Sequence, residues 1–169
     1  TKVEIVRSKE PIPLPEPCKA AWTEPSGKPR TSLDFAFYKV YTDEGIVGIG
    51  PHTGASSSLL EGFDPFCVGE FWNMHMSGKR EGTSGKNAAG LEIALWDVIG
   101  KAVNKPVFKL LGACRDRILV YAATSRLLEK EKQVNQVLDI MNEGFRAVKL
   151  RLHRPNPWDD LAVVEAVRE

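Results

Sequence analysis

Val3 and Ile5 alternate with charged neighbours across residues 2–7 (KVEIVR), the period-two pattern of a half-buried strand. Pro11, Pro13, Pro15, Pro17, Pro25 and Pro29 follow. Proline has no N–H to give a ladder, so residues 11–30 are expected to form one long loop. Residues 32–41 (SLDFAFYKVY) carry the aromatic and β-branched side chains of a strand. Asp43-Glu44-Gly45 marks a turn, and IVGIG at 46–50 pairs back as a hairpin. The opening therefore predicts a three-stranded antiparallel meander with an extended first loop. Residues 51–86 mix glycine and serine with Phe63, Phe66, Phe71 and Trp72, which predicts irregular structure with one short helix.

A helix is expected from 88 to 103, because Leu91, Ala94, Leu95, Val98 and Ala102 repeat on one face. Ile93, Trp96 and Ile99 add a second apolar face and predict burial on most sides. Pro106 stops this helix, and Gly112 closes a short final turn. After Arg117 the rhythm changes. ILVYAATS at 118–125 is a short apolar run, the mark of a strand buried on both faces. Residues 129–142 read as a helix with Val134, Val137, Leu138 and Met141 on one face and Gly144 just past its end. AVKLRL at 147–152 is a second strand, and a further helix starts at Pro157 with Leu161, Val164 and Val167 repeating. Strand–helix–strand–helix at this spacing predicts βαβ units on a parallel sheet.

Composition narrows the function classes. Hydrophobic residues at 43% and charged residues at 27% suit a globular core, and a net charge of +1 without charge blocks argues against nucleic-acid partners. No apolar run approaches the roughly 20 residues that span a bilayer, and the N-terminus lacks a signal-peptide core, so no membrane partner is expected. Cys18, Cys67 and Cys114 are odd in number and far apart, which fits neither a disulfide framework nor a zinc site. Reduced thiols in a cytoplasm are the expectation.

The pattern at 147–153 carries the chemistry. Val148, Leu150 and Leu152 share one strand face; Lys149, Arg151 and His153 share the other. Cations pointing into a sheet interior would need water, an anion or a ligand. On periodicity alone, the same alternation also fits the solvent side of an edge strand.

AGLEIALWDVIGKAVNKPVFKLLG at 89–112, with its closing P-V-x-x-L-L-G, resembles the helix that links capping domain to barrel in the mandelate racemase and muconate lactonizing branch of the enolase superfamily. The order of elements is similar along nearly the whole chain. The resemblance implies an α+β capping domain with linker helices over 1–113, then the first two βα units of a (β/α) barrel over 114–169. A closed barrel domain takes about 200 residues or more, so the barrel is expected to be incomplete in this chain and the chain to be part of a longer protein. Its Mg2+ ligands, implied to come from the third, fourth and fifth barrel strands, would lie beyond residue 169.

The family pattern on the second strand is K-x-K, with the second lysine as acid/base beside a carboxylate. Lys149 matches and Arg151 departs. A guanidinium with a pKa above about 12 is a poor base but a good clamp for a carboxylate. The departure favours a Mg2+-dependent dehydratase: a proton leaves the carbon α to a carboxylate of an acid sugar, the base coming from a later strand, and water is eliminated. A racemase, epimerase or cycloisomerase of the superfamily is the alternative, with a non-catalytic binding or assembly module as the rival of another class. Lys149 and Arg151 are thus the implied catalytic residues. His153 is implied at the site or, alternatively, as a strand-end cap; Trp22 as a lid contact or plain loop packing; His52 as part of a second lid loop. Asp97 is read as a surface or capping carboxylate. The implied partners are a small carboxylate substrate and further copies of the full-length protein.

Overall fold

The computed structural model describes residues 1–18, 28–75 and 87–169. The alternating opening forms strand β1 (Lys2–Arg7). Residues 11–30 are not one loop: β2 (Ile12–Cys18) and β3 (Arg30–Leu33) pair as a two-stranded sheet. Pro13, Pro15 and Pro17 recur at the strand period, so their missing donors all fall on one edge of β2. The intervening N–H groups remain for the partner strand. Proline content argued for a loop, but proline spacing allows a strand.

β4 (Ala36–Tyr41) lies between β1 and β5 (Val47–Pro51), antiparallel to both, so the three-stranded sheet runs β1-β4-β5. Gly45 takes φ +79° in the β4–β5 turn, a conformation glycine adopts without Cβ strain. Residues 51–75 hold two short 3-10 turns, Ser57–Leu60 and Pro65–Cys67, and helix α1 (Val68–His75).

Helix α2 (Ala89–Ala102) packs on β4 and β5. Leu91, Ala94, Leu95 and Val98 join Tyr38, Val40, Leu60 and Phe71 in the core, and the Tyr38 hydroxyl donates to the Ala55 carbonyl at 2.9 Å. The expected burial on most sides does not hold: Ile93 is 49% exposed, Trp96 half-buried and Ala102 exposed. Only the face toward the sheet and the neighbouring helices is covered. α2 and β5 touch backbone to backbone. A Cβ on Gly48 would stand 2.6 Å from Val98 Cγ2, and one on Gly50 would stand 2.9 Å from the Ala94 nitrogen. α2 also seals the open edge of β5: Asp97 Oδ2 accepts the Ile49 N–H at 2.8 Å, and Lys101 Nζ donates to the Val47 carbonyl at 2.7 Å. Helix α3 (Val107–Leu110) ends at Gly112, which takes φ +83°.

Contacts divide the chain into one unit of Thr1–Ile12 and Asp34–Asp116, and a second of Pro13–Leu33 and Arg117–Glu169. In the second, β6 (Ala122–Ala123) pairs in parallel with β7 (Val148–Lys149). Helices α4 (Lys130–Asn142) and α5 (Pro157–Arg168) pack on each other, with Val137 and Val163 buried. Gly144 takes φ +97° just past α4, and Pro157 opens α5 behind Asn156, whose side chain accepts the Trp158 N–H. Both strands are shorter than expected. Ile118, Leu119, Val120 and Tyr121 are exposed rather than buried on two faces, because among the described residues β6 has only β7 beside it and only residues 122–123 enter the ladder. Leu138, Met141 and Leu161 also stand more exposed than their helix faces suggested.

Candidate functional site

Parallel pairing sets Ala122 opposite Val148 and Ala123 opposite Lys149. Val148 and Leu150 are half-buried while Lys149 and Arg151 are exposed, so the alternation read from sequence divides these four residues between two faces. Leu152 is exposed, however, and the regular ladder has ended before it. Ala123 adds only a methyl beside Lys149, which leaves room above that face. Neither the Lys149 ammonium nor the Arg151 guanidinium has an ion-pair or hydrogen-bond partner among the described residues.

Thr124 follows β6 and is 3% exposed. Its N–H donates to the Lys149 carbonyl at 3.0 Å, and its Oγ1 accepts the Arg151 N–H at 3.0 Å. The side chain thus supplies one more rung where the strand stops. Sequence reasoning passed over this residue; its signal was the hydroxyl pair Thr124-Ser125 closing an apolar run.

His153 stands apart from the basic pair. It lines a cleft of about 460 Å3 with Leu127, Leu128, Arg154 and Val163, and neither Lys149 nor Arg151 reaches that lining. Arg154 ties the cleft together: its Nη1 meets Asp160 Oδ1 at 2.6 Å, its N–H meets Asp160 Oδ2 at 3.1 Å, and its Nη2 donates to the Leu128 carbonyl at 2.6 Å. The loop after β6, the loop after β7 and the first turn of α5 are joined through this one side chain. Sequence reasoning missed it too, since an arginine six positions before an aspartate has no periodic signature.

His52 belongs to the other unit. Its ring packs 4.9 Å from that of Tyr38, and Arg7 Nη2 lies 3.4 Å from its Nε2. Trp22 falls outside the described residues. Asp97, bonded to Ile49 and Lys101, is a sheet-edge cap. Among the described residues, no group of three His, Cys, Asp or Glu side chains lies close enough to hold a metal ion. The donors around Lys149 and Arg151 do not fit Mg2+, because both are cations.

Two shifted groups lie in the first unit, away from these residues in sequence. Tyr41 is raised above the ordinary phenol value, first by donating to the Glu4 carboxylate at 2.6 Å. The Cys67 thiol is raised by desolvation and then by the negative charges of Asp64 and Glu70. No helix among the described residues is long and apolar enough to cross a membrane.

Comparison with known proteins bears on this arrangement. Residues 2–112 match the family model of the mandelate racemase / muconate lactonizing enzyme N-terminal domain. A D-galactonate dehydratase family member, RspA, from Cellvibrio japonicus is 30% identical over 139 residues, covering 72% of this chain and 34% of its own. A solved enolase-superfamily member from Polaromonas sp. JS666 superposes with a TM-score of 0.76 at 26% identity, covering 99% of this chain and 48% of that one. A racemase from Streptomyces coelicolor A3(2) with bound magnesium shares the fold, with a TM-score of 0.75 at 21% identity and 99% and 50% coverage. The chain spans about a third of the length of the curated relatives it matches and about half that of the solved structures.

Proposed function

Because this chain belongs to the mandelate racemase / muconate lactonizing enzyme family of the enolase superfamily, we propose that the natural protein is a Mg2+-dependent lyase that removes the proton α to a carboxylate of an acid sugar and eliminates water. The observation that carries the reading is the pair Lys149 and Arg151, two cations without partners among the described residues, on the exposed face at the C-terminal end of a parallel strand. Relatives named arabinonate dehydratase and D-mannonate dehydratase support the substrate class. Mg2+ when bound would supply charge stabilisation, with ligands from outside this chain.

Lys149, as an ammonium, would hold the substrate carboxylate or move a proton beside it. Arg151 stays charged and offers a planar fork, so it would clamp the anion rather than act as base. A racemase with one base on each face of the substrate is disfavoured by the same residue. The division into a capping domain over 1–113 and a barrel portion over 114–169 belongs to this reading. Trp22, His52 and His153 are proposed as substrate contacts on the family resemblance alone, and His153 lines a cleft that neither Lys149 nor Arg151 reaches.

The test is dehydration of a panel of aldonates and aldarates, D-galactonate among them, by the full-length protein with Mg2+. Lys149→Met should lower turnover by about 10² or more, the scale of a lost acid/base or preorganised contact. Arg151→Lys should lower it too, since the charge stays but the fork is lost. Trp22→Ala should change the ratio of kcat/KM between acid sugars more than turnover itself. Wild-type kinetics in both Lys149→Met and Arg151→Lys would remove these residues from the site.

A further inference from the structure

The geometry points to Thr124 as a positioning residue that sets the backbone of Lys149 and Arg151, and through it the aim of the two cations. This inference rests on the role proposed for that pair. β7 ends at Lys149, so Arg151 lies beyond the last residue of the ladder. A side chain held by so short a ladder would swing with its backbone. Thr124 prevents this from both ends of the 149–151 segment. Its N–H and its Oγ1 approach the Lys149 carbonyl at 3.0 and 3.4 Å, and Oγ1 accepts the Arg151 N–H at 3.0 Å.

One hydroxyl therefore acts as donor to residue 149 and acceptor from residue 151. Thr124 is itself buried, which limits the alternatives for its Oγ1. Arg151, by contrast, is exposed as a residue and its bond to Thr124 is part-buried rather than buried, so loss of the hydroxyl does not leave its N–H in a closed core. Removing the hydroxyl should thus cost little fold stability and much precision. Displacements on the order of 1 Å in a catalytic group can cost up to about 10² in rate.

Thr124→Val keeps the branched shape and removes the hydroxyl; Thr124→Ser keeps the hydroxyl. In the full-length protein, exchange of the Arg151 amide should speed up about tenfold in Thr124→Val and stay near wild type in Thr124→Ser. With D-galactonate or whichever panel sugar is turned over, kcat should fall about tenfold in the valine variant, with recovery in the serine variant. The same Thr124→Val change should cost clearly less in an Arg151→Lys background, because residues that act through one another are non-additive.

Unchanged Arg151 exchange in Thr124→Val overturns the inference whatever the activity. So does a loss of kcat that only tracks a lowered folded fraction, or equal losses in the wild-type and Arg151→Lys backgrounds. If Lys149→Met loses turnover while Thr124→Val does not, only the positioning role fails. If Lys149→Met and Arg151→Lys both keep turnover, the basic-pair reading itself fails.

Discussion

Cys67 shows how a carboxylate next to an exposed thiol changes its chemistry without making it a site. Asp64 caps the following 3-10 turn by accepting the Phe66 N–H at 2.9 Å, which holds its charge beside the thiol. Desolvation comes first and the charges of Asp64 and Glu70 add to it, so the thiol sits above its ordinary value. A raised value means less thiolate at any pH below it, and the thiolate is the nucleophile. Near pH 8, Cys67 should therefore alkylate with iodoacetamide more slowly in the folded chain than in urea, by peptide mass spectrometry. Asp64→Asn keeps the cap oxygen, removes the charge and should speed the reaction; equal rates in folded and unfolded chain would contradict the assignment. At the same scale, Lys149 and Arg151 were legible because period two alone separates them from Val148 and Leu150. Thr124 was not, because its partners are 25 and 27 residues away in sequence and strand register is not written locally.

Among elements, the contact of α2 with β5 is governed by what is missing from Gly48, Gly50 and Gly90. Cβ atoms there would run into the facing backbone, at Ala94 O for Gly48, Gly90 O for Gly50 and Pro51 O for Gly90. Carbonyl oxygens in a helix and a sheet cannot swing aside as a side-chain end can. Gly50→Ala should thus destabilise the first unit by about 2 kcal/mol or more, the upper range of overpacking. Gly69 in α1 meets nothing within 4 Å, so Gly69→Ala should be neutral or stabilise by about 0.5–1 kcal/mol. Urea unfolding followed by tryptophan fluorescence separates the two outcomes, and similar midpoints for both variants would mean that α2 can shift off β5. The hairpin IVGIG was readable from its turn and apolar residues, but the closeness of α2 was not. Likewise the proline count hid β2, because the tally of prolines and their parity along a strand are different facts.

For the whole chain, the order of elements was legible from Arg117 onward, while the β2–β3 pair of the second unit and the burial of its later strands were not. An apolar run such as ILVY at 118–121 says that a strand has layers on both faces; it does not say which residues supply them. In the 169-residue chain Leu119 is 99% exposed, with Ile118, Val120 and Tyr121 beside it, near Phe145 in the segment between α4 and β7. A contiguous apolar strip of this kind, next to a strand edge that is unpaired among the described residues, invites association. The isolated chain should therefore sediment above its 18.7 kDa monomer mass as concentration rises, and bind a hydrophobic dye. Leu119→Lys should return it toward monomer at little cost in stability, since a side chain that exposed buries almost nothing in the fold. Ile93→Lys on α2 is the control, because Ile93 is also a large apolar group at 49% exposure but lies in the first unit. Relief by Ile93→Lys and not by Leu119→Lys would move the sticky surface to α2. A monomer at every concentration in the unchanged chain would show that the 118–121 strip finds cover within the chain itself.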